Sequence, residues 1–399
     1  MTTDLETIRK EISATDTQLL SLLAKRLQLT QQVAENKIAN HVDVRDPKRE
    51  EELLVSLVQQ GSKLDLDPHY VTRIFHVIIE NSVLSQQALL AERANPELNQ
   101  PLNRVAFLGN KGSYSYLATQ RYFSRKPGEL HEMGFKTFSE VIAKVENNEA
   151  DYAVLPIENT TSGSINEVYD QLQHTSLSII GELTQPIEHA LLVKGAGNID
   201  EIKTIYGHPQ ALAQCRLFTE SLENVTTVPC TSTSTAMQTV SESNASDIAA
   251  IGSVQGGENY GLTALKQGLA NQSENHTRFI VVARKPVKVP IQIPAKTTVV
   301  MSTIQKPGAL VDALIVLKNN KINMTKLESR PITGNPWEEM FYLDIDGNTD
   351  DGPMQKALEE LQGMTRKFKV LGCYPIEEVT HTKVPVYKAL TENSSNLQN

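Results

Sequence analysis

The sequence predicts a multidomain protein in three parts. An all-α segment covers residues 1–93, an α/β segment covers 104–284, and an α+β segment of ferredoxin-like order covers 297–378. Three observations carry this reading. Residues 4–39 space their apolar groups by three and four without a Gly or Pro. From residue 104 onward, apolar runs alternate with helical patterns. Beyond residue 297 the order is strand, helix, strand, strand, helix, strand. At 399 residues the chain also exceeds one ordinary core.

Composition removes several function classes. A net charge of −9 with no long Lys/Arg run argues against a nucleic-acid surface, so any positive field must be local. Cys215, Cys230 and Cys373 lie far apart, with neither metal spacing nor a paired framework, which fits a reducing cytoplasm. The start, MTTDLETIRKE, lacks the apolar core of a secretion signal, and no apolar run reaches the ~18 residues needed to span a bilayer. A soluble cytoplasmic protein without membrane or nucleic-acid partners is expected.

In the first segment the stripe Leu5, Ile8, Ile12, Leu19, Leu22, Leu23, Leu29 and Val33 makes one helix. At ~1.5 Å per residue it is ~50 Å long, more than a small domain can cover, so a second chain is expected along it. Asp46-Pro47 caps and opens a second helix that Gly61 closes. Asp67-Pro68 repeats the device for a third helix, which runs through Val71, Ile74, Phe75, Ile78, Val83 and Leu89 to about Glu92. Arg26 and Lys37, eleven residues apart, share nearly one face of the first helix and suit the two ends of a small anion. Arg9 lies roughly a quarter turn off that face and suits a site on the partner chain. All three also read as a solvated face. Ser82 and Gln86, four apart, share a side of the third helix, where polar packing is the plainer reading.

RANPELNQPLN, residues 93–103, reads as a linker. RVAFLG then enters the turn GNKGSYS, whose glycines have neither dinucleotide nor Walker spacing, so no nucleotide is expected; a helix begins near Tyr116. Strand candidates follow at Asp151–Ile157, Leu177–Glu182, His189–Val193, Thr204–Gly207, Asp247–Gly252 and Arg278–Ala283, implying an α/β fold with substantial parallel pairing. The stretch around which the chain is organised is ADYAVLPIENTTSGSINEVYD, residues 150–170. A buried strand there delivers Glu158 and Asn159 to its carboxyl end, followed by hydroxyls and free N–H groups suited to an anion. It reads equally as a strand-to-helix turn capped by Ser164 or Thr161. In HTRFIVVAR, period two puts Thr277 and Phe279 on one side of a strand and Arg278 on the other.

KPVKVPIQIPA, residues 285–295, is an extended linker with prolines four apart. In the last segment GALV, Gly308, Ala309, Leu310 and Val311, opens a helix with exposed N–H groups, and ESRP, Glu328, Ser329, Arg330 and Pro331, ends a strand. The tail after Val379 is polar.

DYAVLPIENTTSGSINEVYD, with FLGNKGSYSYLA before it and NHTRFIVVAR after it, resembles prephenate dehydratase. With the segments in front and behind, residues 4 to about 378 resemble the bifunctional chorismate mutase/prephenate dehydratase family of phenylalanine biosynthesis. The resemblance implies an all-helical chorismate mutase domain, a two-lobed dehydratase domain like a periplasmic binding protein, and an amino-acid-binding ACT domain. The lobes are expected to join near Gly181 and Asn259.

By the same resemblance, Arg9 of the other subunit and Arg26 bind the substrate carboxylates, and Lys37 and Gln86 meet the ether oxygen. Asp46, Arg49, Glu50 and Ser82 complete that pocket, a role compatible with Asp46 also being a helix cap. The rearrangement of chorismate to prephenate is pericyclic and needs no nucleophile, metal or cofactor. It is helped by placing cations where negative charge grows. In the dehydratase, Thr277 is tied to loss of the hydroxyl group, and Glu158, Asn159, Gln214 and the hydroxyls of STSTA, residues 232–236, line the cleft. Either Thr277, as a hydrogen-bond donor, or Glu158, as an acid, assists the leaving hydroxide. Asn110 stands where the family more often has proline. GALV and ESRP bind L-phenylalanine, an inhibitor, between paired subunits, with Trp337 nearby as a reporter. A homodimer or higher oligomer follows. The rival reading is a non-catalytic amino-acid sensor with a helical dimerisation module; it has no basic recognition helix for output and no account of Arg9, Arg26, Lys37 and Gln86 occurring together.

Overall fold

The computed structural model describes residues 4–40, 42–272, 274–332, 335 and 338–377. Trp337 and the tail after Val379 lie outside the described residues. The chain divides into two compact units, one built on residues 1–96 with 290–293, the other on 97–289 with 294–378.

The first unit holds α1 (Leu5–Asn40), α2 (Pro47–Ser62) and α3 (Pro68–Ala94). Asp46 caps α2 by accepting from the Arg49 N–H at 3.0 Å, and Asp67 caps α3 by accepting from the His69 N–H at 2.7 Å; each is followed by proline, whose missing N–H costs nothing there. Gly61 does not close α2. It lies inside the last turn, where a Cβ would press to 2.7 Å from a Val71 methyl, so glycine lets α2 approach α3. Along α1 only Thr30 and Ala34 are buried. Leu19 is 55% and Leu22 64% exposed, and the apolar stripe read from the sequence lies open within this chain.

The second unit begins with β1 (Leu102–Leu108), α4 (Tyr114–Phe123), β2 (Glu129–Phe135), α5 (Phe138–Glu146), β3 (Tyr152–Asn159), β4 (Gly163–Ser164), α6 (Asn166–His174) and β5 (Ser178–Pro186). It continues with β6 (Ala190–Lys194), β7 (Thr204–Gly207), α7 (Pro209–Gln214), α8 (Arg216–Glu220), β8 (Thr226–Pro229), α9 (Thr233–Glu242), β9 (Ile248–Gly252), α10 (Val254–Glu258), β10 (Leu262–Gln267) and β11 (His276–Ala283). These make two sheets, ordered β2-β1-β3-β11-β5, with β4 beside β3, and β10-β6-β9-β7-β8. Parallel pairs, β1 with β2 and β3 and β7 with β8 and β9, sit beside antiparallel ones in which β11 runs between β3 and β5.

The chain passes between the two lobes after Pro186 and returns before His276, not at Gly181 and Asn259. Gly181 lies inside β5 opposite Val281, and its glycine is explained by packing, because a Cβ would sit 2.1 Å from the Tyr122 hydroxyl. Asn259 ends α10 within the second lobe.

The last part runs β12 (Ala295–Thr303), α11 (Ala309–Asn319), β13 (Met324–Pro331), β14 (Glu339–Asp346), α12 (Gly352–Met364) and β15 (Thr365–Pro375), in sheet order β13-β14-β12-β15, all antiparallel. One face of this sheet packs on α11 and α12 through Val299, Met301, Leu343 and Ile345. The other joins the first-lobe core through Val300, Met340, Tyr342 and Leu371. The approach is close enough that a Cβ on Gly372 would sit 2.0 Å from the Ile179 carbonyl oxygen.

Candidate functional site

In the helical unit, α1 and α3 bring Arg26, Ser82 and Gln86 together. The Arg26 guanidinium donates to the Ser82 hydroxyl and, at 3.4 Å, to the Ile78 carbonyl; Gln86 Nε2 donates to the Ser82 carbonyl at 3.1 Å. Gln86 is buried, and its Oε1 has no hydrogen-bond partner among the described residues. A buried acceptor left open is costly, and such cost is most readily tolerated where a ligand supplies the missing donor. Lys37 donates to the Val44 carbonyl. Burial lowers its pKa from the ordinary lysine value, while the carboxylates of Asp46, Glu50 and Asp43 act in the opposite direction. Burial also lowers the pKa of Arg26. Glu50 pairs with Arg45 at 3.2 Å, and the Arg49 side chain is exposed, 3.6 Å from Glu52. Arg9 is exposed on α1 and stands about 25 Å along the axis from Arg26 at ~1.5 Å per residue, so within one chain it cannot join that group.

In the second unit the carboxyl end of β3 and the start of β11 deliver Asn159 and Thr277 as directly paired neighbours on one face. Asn159 is almost fully engaged. Its Nδ2 donates to Thr277 Oγ1 at 2.9 Å and to Asn275 Oδ1 at 2.8 Å, while its Oδ1 accepts from the N–H groups of Thr161 and Ser162 at 3.1 and 3.0 Å and from the Thr161 hydroxyl at 2.6 Å. Asn159 therefore builds the turn itself. Neither Thr161 nor Ser164 caps α6, whose N-cap is Ile165 without a side-chain bond. From the second lobe, Gln214 at the end of α7 donates to Thr161 Oγ1 at 2.6 Å and accepts from Asn275 Nδ2 at 3.1 Å and from His189. Thr161, Ser162, Gln210, Gln214, Asn271 and Asn275 are among the residues lining a pocket of ≈ 250 Å³ whose lining carries no charged side chain.

Glu158 does not join this group. Side chains alternate along a strand, so Glu158 shares a face with its partner Arg278, away from Asn159 and Thr277. Its carboxylate lies 2.7 Å from Lys326 on β13. On the same face Arg278 meets Glu182 at 2.7 Å and Asp344 at 2.5 Å and donates to the Tyr374 hydroxyl at 3.0 Å. Burial alone would lower the Arg278 pKa, but the Asp344 and Glu182 carboxylates outweigh it and raise it.

The STSTA hydroxyls meet the GNKGSYS loop. Ser232 caps α9, accepting from the Thr235 N–H at 3.0 Å, and buried Ser234 accepts from the Asn110 N–H at 3.3 Å. A proline at position 110 has no N–H for that bond. Gly112, at φ +79, needs glycine, since a Cβ would lie 2.9 Å from the Gly256 carbonyl oxygen.

In the last part Gly308 precedes α11 with φ +80, and Ala309, Leu310 and Val311 form its first turn. ESRP divides between faces. Glu328 accepts from the Ser164 hydroxyl at 2.5 Å and Arg330 pairs with Asp170 at 2.9 Å, both on the first-lobe side. Ser329 and Pro331 alternate to the other side, exposed.

Thr161 and Ser162 belong to the hydroxyl run read from the sequence as suited to an anion, whereas Asn275, His189 and Tyr114 were not singled out as members of this site. Asn275 had a readable signal, standing two residues before Thr277 and so on its face by period two. His189 had none, because only the fold brings it to Gln214. Among the described residues no helix is long and apolar enough to cross a membrane, and no group of three or more His, Cys, Asp or Glu is placed to hold a metal ion.

Residues 105–287 match the family described as Prephenate dehydratase, and residues 8–87 match Chorismate mutase type II. The bifunctional chorismate mutase/prephenate dehydratase of Enterobacter agglomerans is 53% identical over 93% of this chain and 96% of its own length; that of Escherichia coli K12 is 51% identical over the same shares. The crystal structure of prephenate dehydratase from Arthrobacter aurescens in complex with L-Phe matches with a TM-score of 0.63 at 28% identity, over 73% of this chain and 96% of that one. The chain belongs to the bifunctional chorismate mutase/prephenate dehydratase family.

Proposed function

We propose that this chain rearranges chorismate to prephenate in its helical unit and converts prephenate to phenylpyruvate in the pocket between its two α/β lobes. The observation that carries the reading is the presence in one chain of two unlike polar clusters: Arg26, Ser82 and Gln86, with Lys37 about 16 Å further along the same side of α1, and the uncharged Thr277, Asn159, Asn275 and Gln214. The domains are then chorismate mutase at 1–93, dehydratase at 104–284 and an ACT domain at 297–378.

In the mutase, Arg26 and the partner chain's copy of Arg9 hold the two carboxylates. Lys37 and Gln86 face the ether oxygen as its bond breaks. The open position beside Gln86 and the partly buried ammonium of Lys37 support those roles, since preorganised charge acts strongly out of water. Asp46, Arg49, Glu50 and Ser82 surround them. The open stripe of α1 and the distance of Arg9 from Arg26 support a homodimer.

In the dehydratase, the bond from the ring to the carboxylate breaks, its electron pair enters the ring, and the bond to the ring hydroxyl breaks at the far carbon. Carbon dioxide and hydroxide leave, and the ring becomes aromatic. Thr277 accepts from Asn159 and donates its own proton to none of the described residues, which leaves that O–H to meet the departing oxygen. The uncharged lining solvates the substrate carboxylate less than water does, and its charge disperses as the bond breaks. Glu158 faces Lys326 and is replaced by Thr277 in this role.

L-Phenylalanine is proposed to inhibit by binding between GALV of one chain and ESRP of another. Gly308 and Val311, exposed on either side of the half-buried Ala309 and Leu310, and the exposed side chains of Ser329 and Pro331 support this. A cytoplasmic location fits the chemistry. Feeding the purified chain chorismate and, separately, prephenate tests the proposal. Phenylpyruvate is expected from both, and its absence from both leaves only the sensor.

A further inference from the structure

Behind the dehydratase cluster lies one buried titratable side chain that the proposed chemistry does not use, His189. Both of its ring nitrogens are engaged. Nδ1 lies 3.0 Å from the Tyr114 hydroxyl and Nε2 lies 2.9 Å from Gln214 Oε1. Tyr114 meets the imidazole edge-on, with ring centroids 5.6 Å apart, and its hydroxyl, with a single proton to give, also lies 2.8 Å from the Glu188 carbonyl.

The directions of these bonds are fixed by chemistry. A carboxamide oxygen only accepts, so the proton of a neutral His189 must sit on Nε2, and Nδ1 must accept from Tyr114. Burial lowers the His189 pKa and so favours that neutral ring, against the smaller opposite effect of the Gln214 bond. With Oε1 taking protons from His189 and Asn275, Gln214 Nε2 is left facing Thr161 Oγ1 at 2.6 Å. Thr161 in turn gives its proton to Asn159 Oδ1 at 2.6 Å, and Asn159 Nδ2 gives one to Thr277 at 2.9 Å. Were the Gln214 amide turned over, its NH₂ would oppose two donors, and its oxygen would draw the Thr161 proton away from Asn159. The two orientations have nearly the same shape, so the N–H groups of His189 and Asn275 are what separate them.

We infer that His189, held by Tyr114, is a positioning residue of the dehydratase site: its Nε2–H, together with the Asn275 N–H, holds the Gln214 oxygen and so keeps the Gln214 N–H facing Thr161 at the pocket wall. This rests on the dehydratase reading given above. His189 lines no part of the pocket and acts only through Gln214.

Steady-state turnover of prephenate by the full chain tests it, with chorismate consumption by the same preparations as the control for folding. His189→Leu removes the N–H at similar volume and is expected to lower kcat/KM about tenfold, the size of one neutral hydrogen bond. His189→Gln, which returns an N–H near the position of Nε2, restores most of it. Because His189 acts through Gln214, the His189→Leu/Gln214→Ala double variant is expected to be no slower than Gln214→Ala alone, whereas a packing role predicts multiplied losses. Turnover by His189→Leu within about twofold of wild type, or a double variant slower than Gln214→Ala by the whole His189→Leu factor, overturns the inference. If His189→Leu does not fold, Tyr114→Phe, which keeps the ring and loses only the hydroxyl, carries the same expectation, and unchanged turnover overturns it. A wild-type chain that leaves prephenate untouched overturns the dehydratase reading itself, and this inference with it.

Discussion

The Thr277 hydroxyl and the Arg278 guanidinium, neighbours on β11, face opposite sides of the first-lobe sheet. Thr277 accepts from Asn159 on the cleft side, and Arg278 is locked between Glu182 and Asp344 on the side of the C-terminal sheet. One strand thus serves the chemistry with one side chain and the architecture with the next.

Arg278→Met strips two buried carboxylates of their common cation, with Lys296 left beside Glu182 at 2.8 Å. Breaking a buried pair from one side typically costs about 3–5 kcal/mol, because the abandoned charge stays buried. Urea unfolding of the full chain should show a loss of that order. A loss under ~1 kcal/mol would mean that the cluster contributes no more than a surface ion pair.

Glu158→Gln is expected to leave prephenate turnover within about tenfold of wild type, below the 10²–10⁴ that a general acid or base commonly contributes. Its carboxylate is spent on Lys326, so Lys326→Met should change turnover by a similar factor. A drop of more than a hundredfold in Glu158→Gln alone would return the carboxyl group to the chemistry.

Much of this was legible in the sequence. Asp46-Pro47 and Asp67-Pro68 opened helices where local chemistry requires it, and of the run read at 151–157, residues 152–157 are the covered part of β3, as such runs should be. β2, β8 and β10 escaped because each is an edge strand, open on one side, without the apolar alternation that reveals a buried one. Glu158 was misplaced by one register step. Its neighbour Asn159 turns into the cleft, and a period of two sends Glu158 the other way. The lobe crossings were sought at Gly181 and Asn259, but Gly181 answers to the Tyr122 hydroxyl and not to a turn. His189, Gln214 and Asn159 meet across more than one lobe, and no local pattern announces that.

Mutase activity should fall at high pH sooner than an ordinary lysine would dictate. Lys37 must be protonated to face a developing oxyanion, and burial lowers its pKa despite Asp46, Glu50 and Asp43 nearby. The active form is therefore fully present at neutral pH and lost as pH rises through a value below the usual ~10.4. A pH profile of chorismate consumption checks this. Lys37→Gln should lose most of the rate and also the alkaline limb, whereas an alkaline limb that survives in Lys37→Gln would assign it to another group.

The central claim is that one chain carries two independent sites, one that makes prephenate and one that consumes it. Lys37→Ala should make phenylpyruvate from prephenate but not from chorismate, and Thr277→Val should turn chorismate into prephenate and stop. The most direct measurement mixes the two variants and supplies chorismate. The account predicts that phenylpyruvate appears after a lag while prephenate accumulates; a mixture that makes none because either substitution, in a folded protein, has abolished both activities would contradict it.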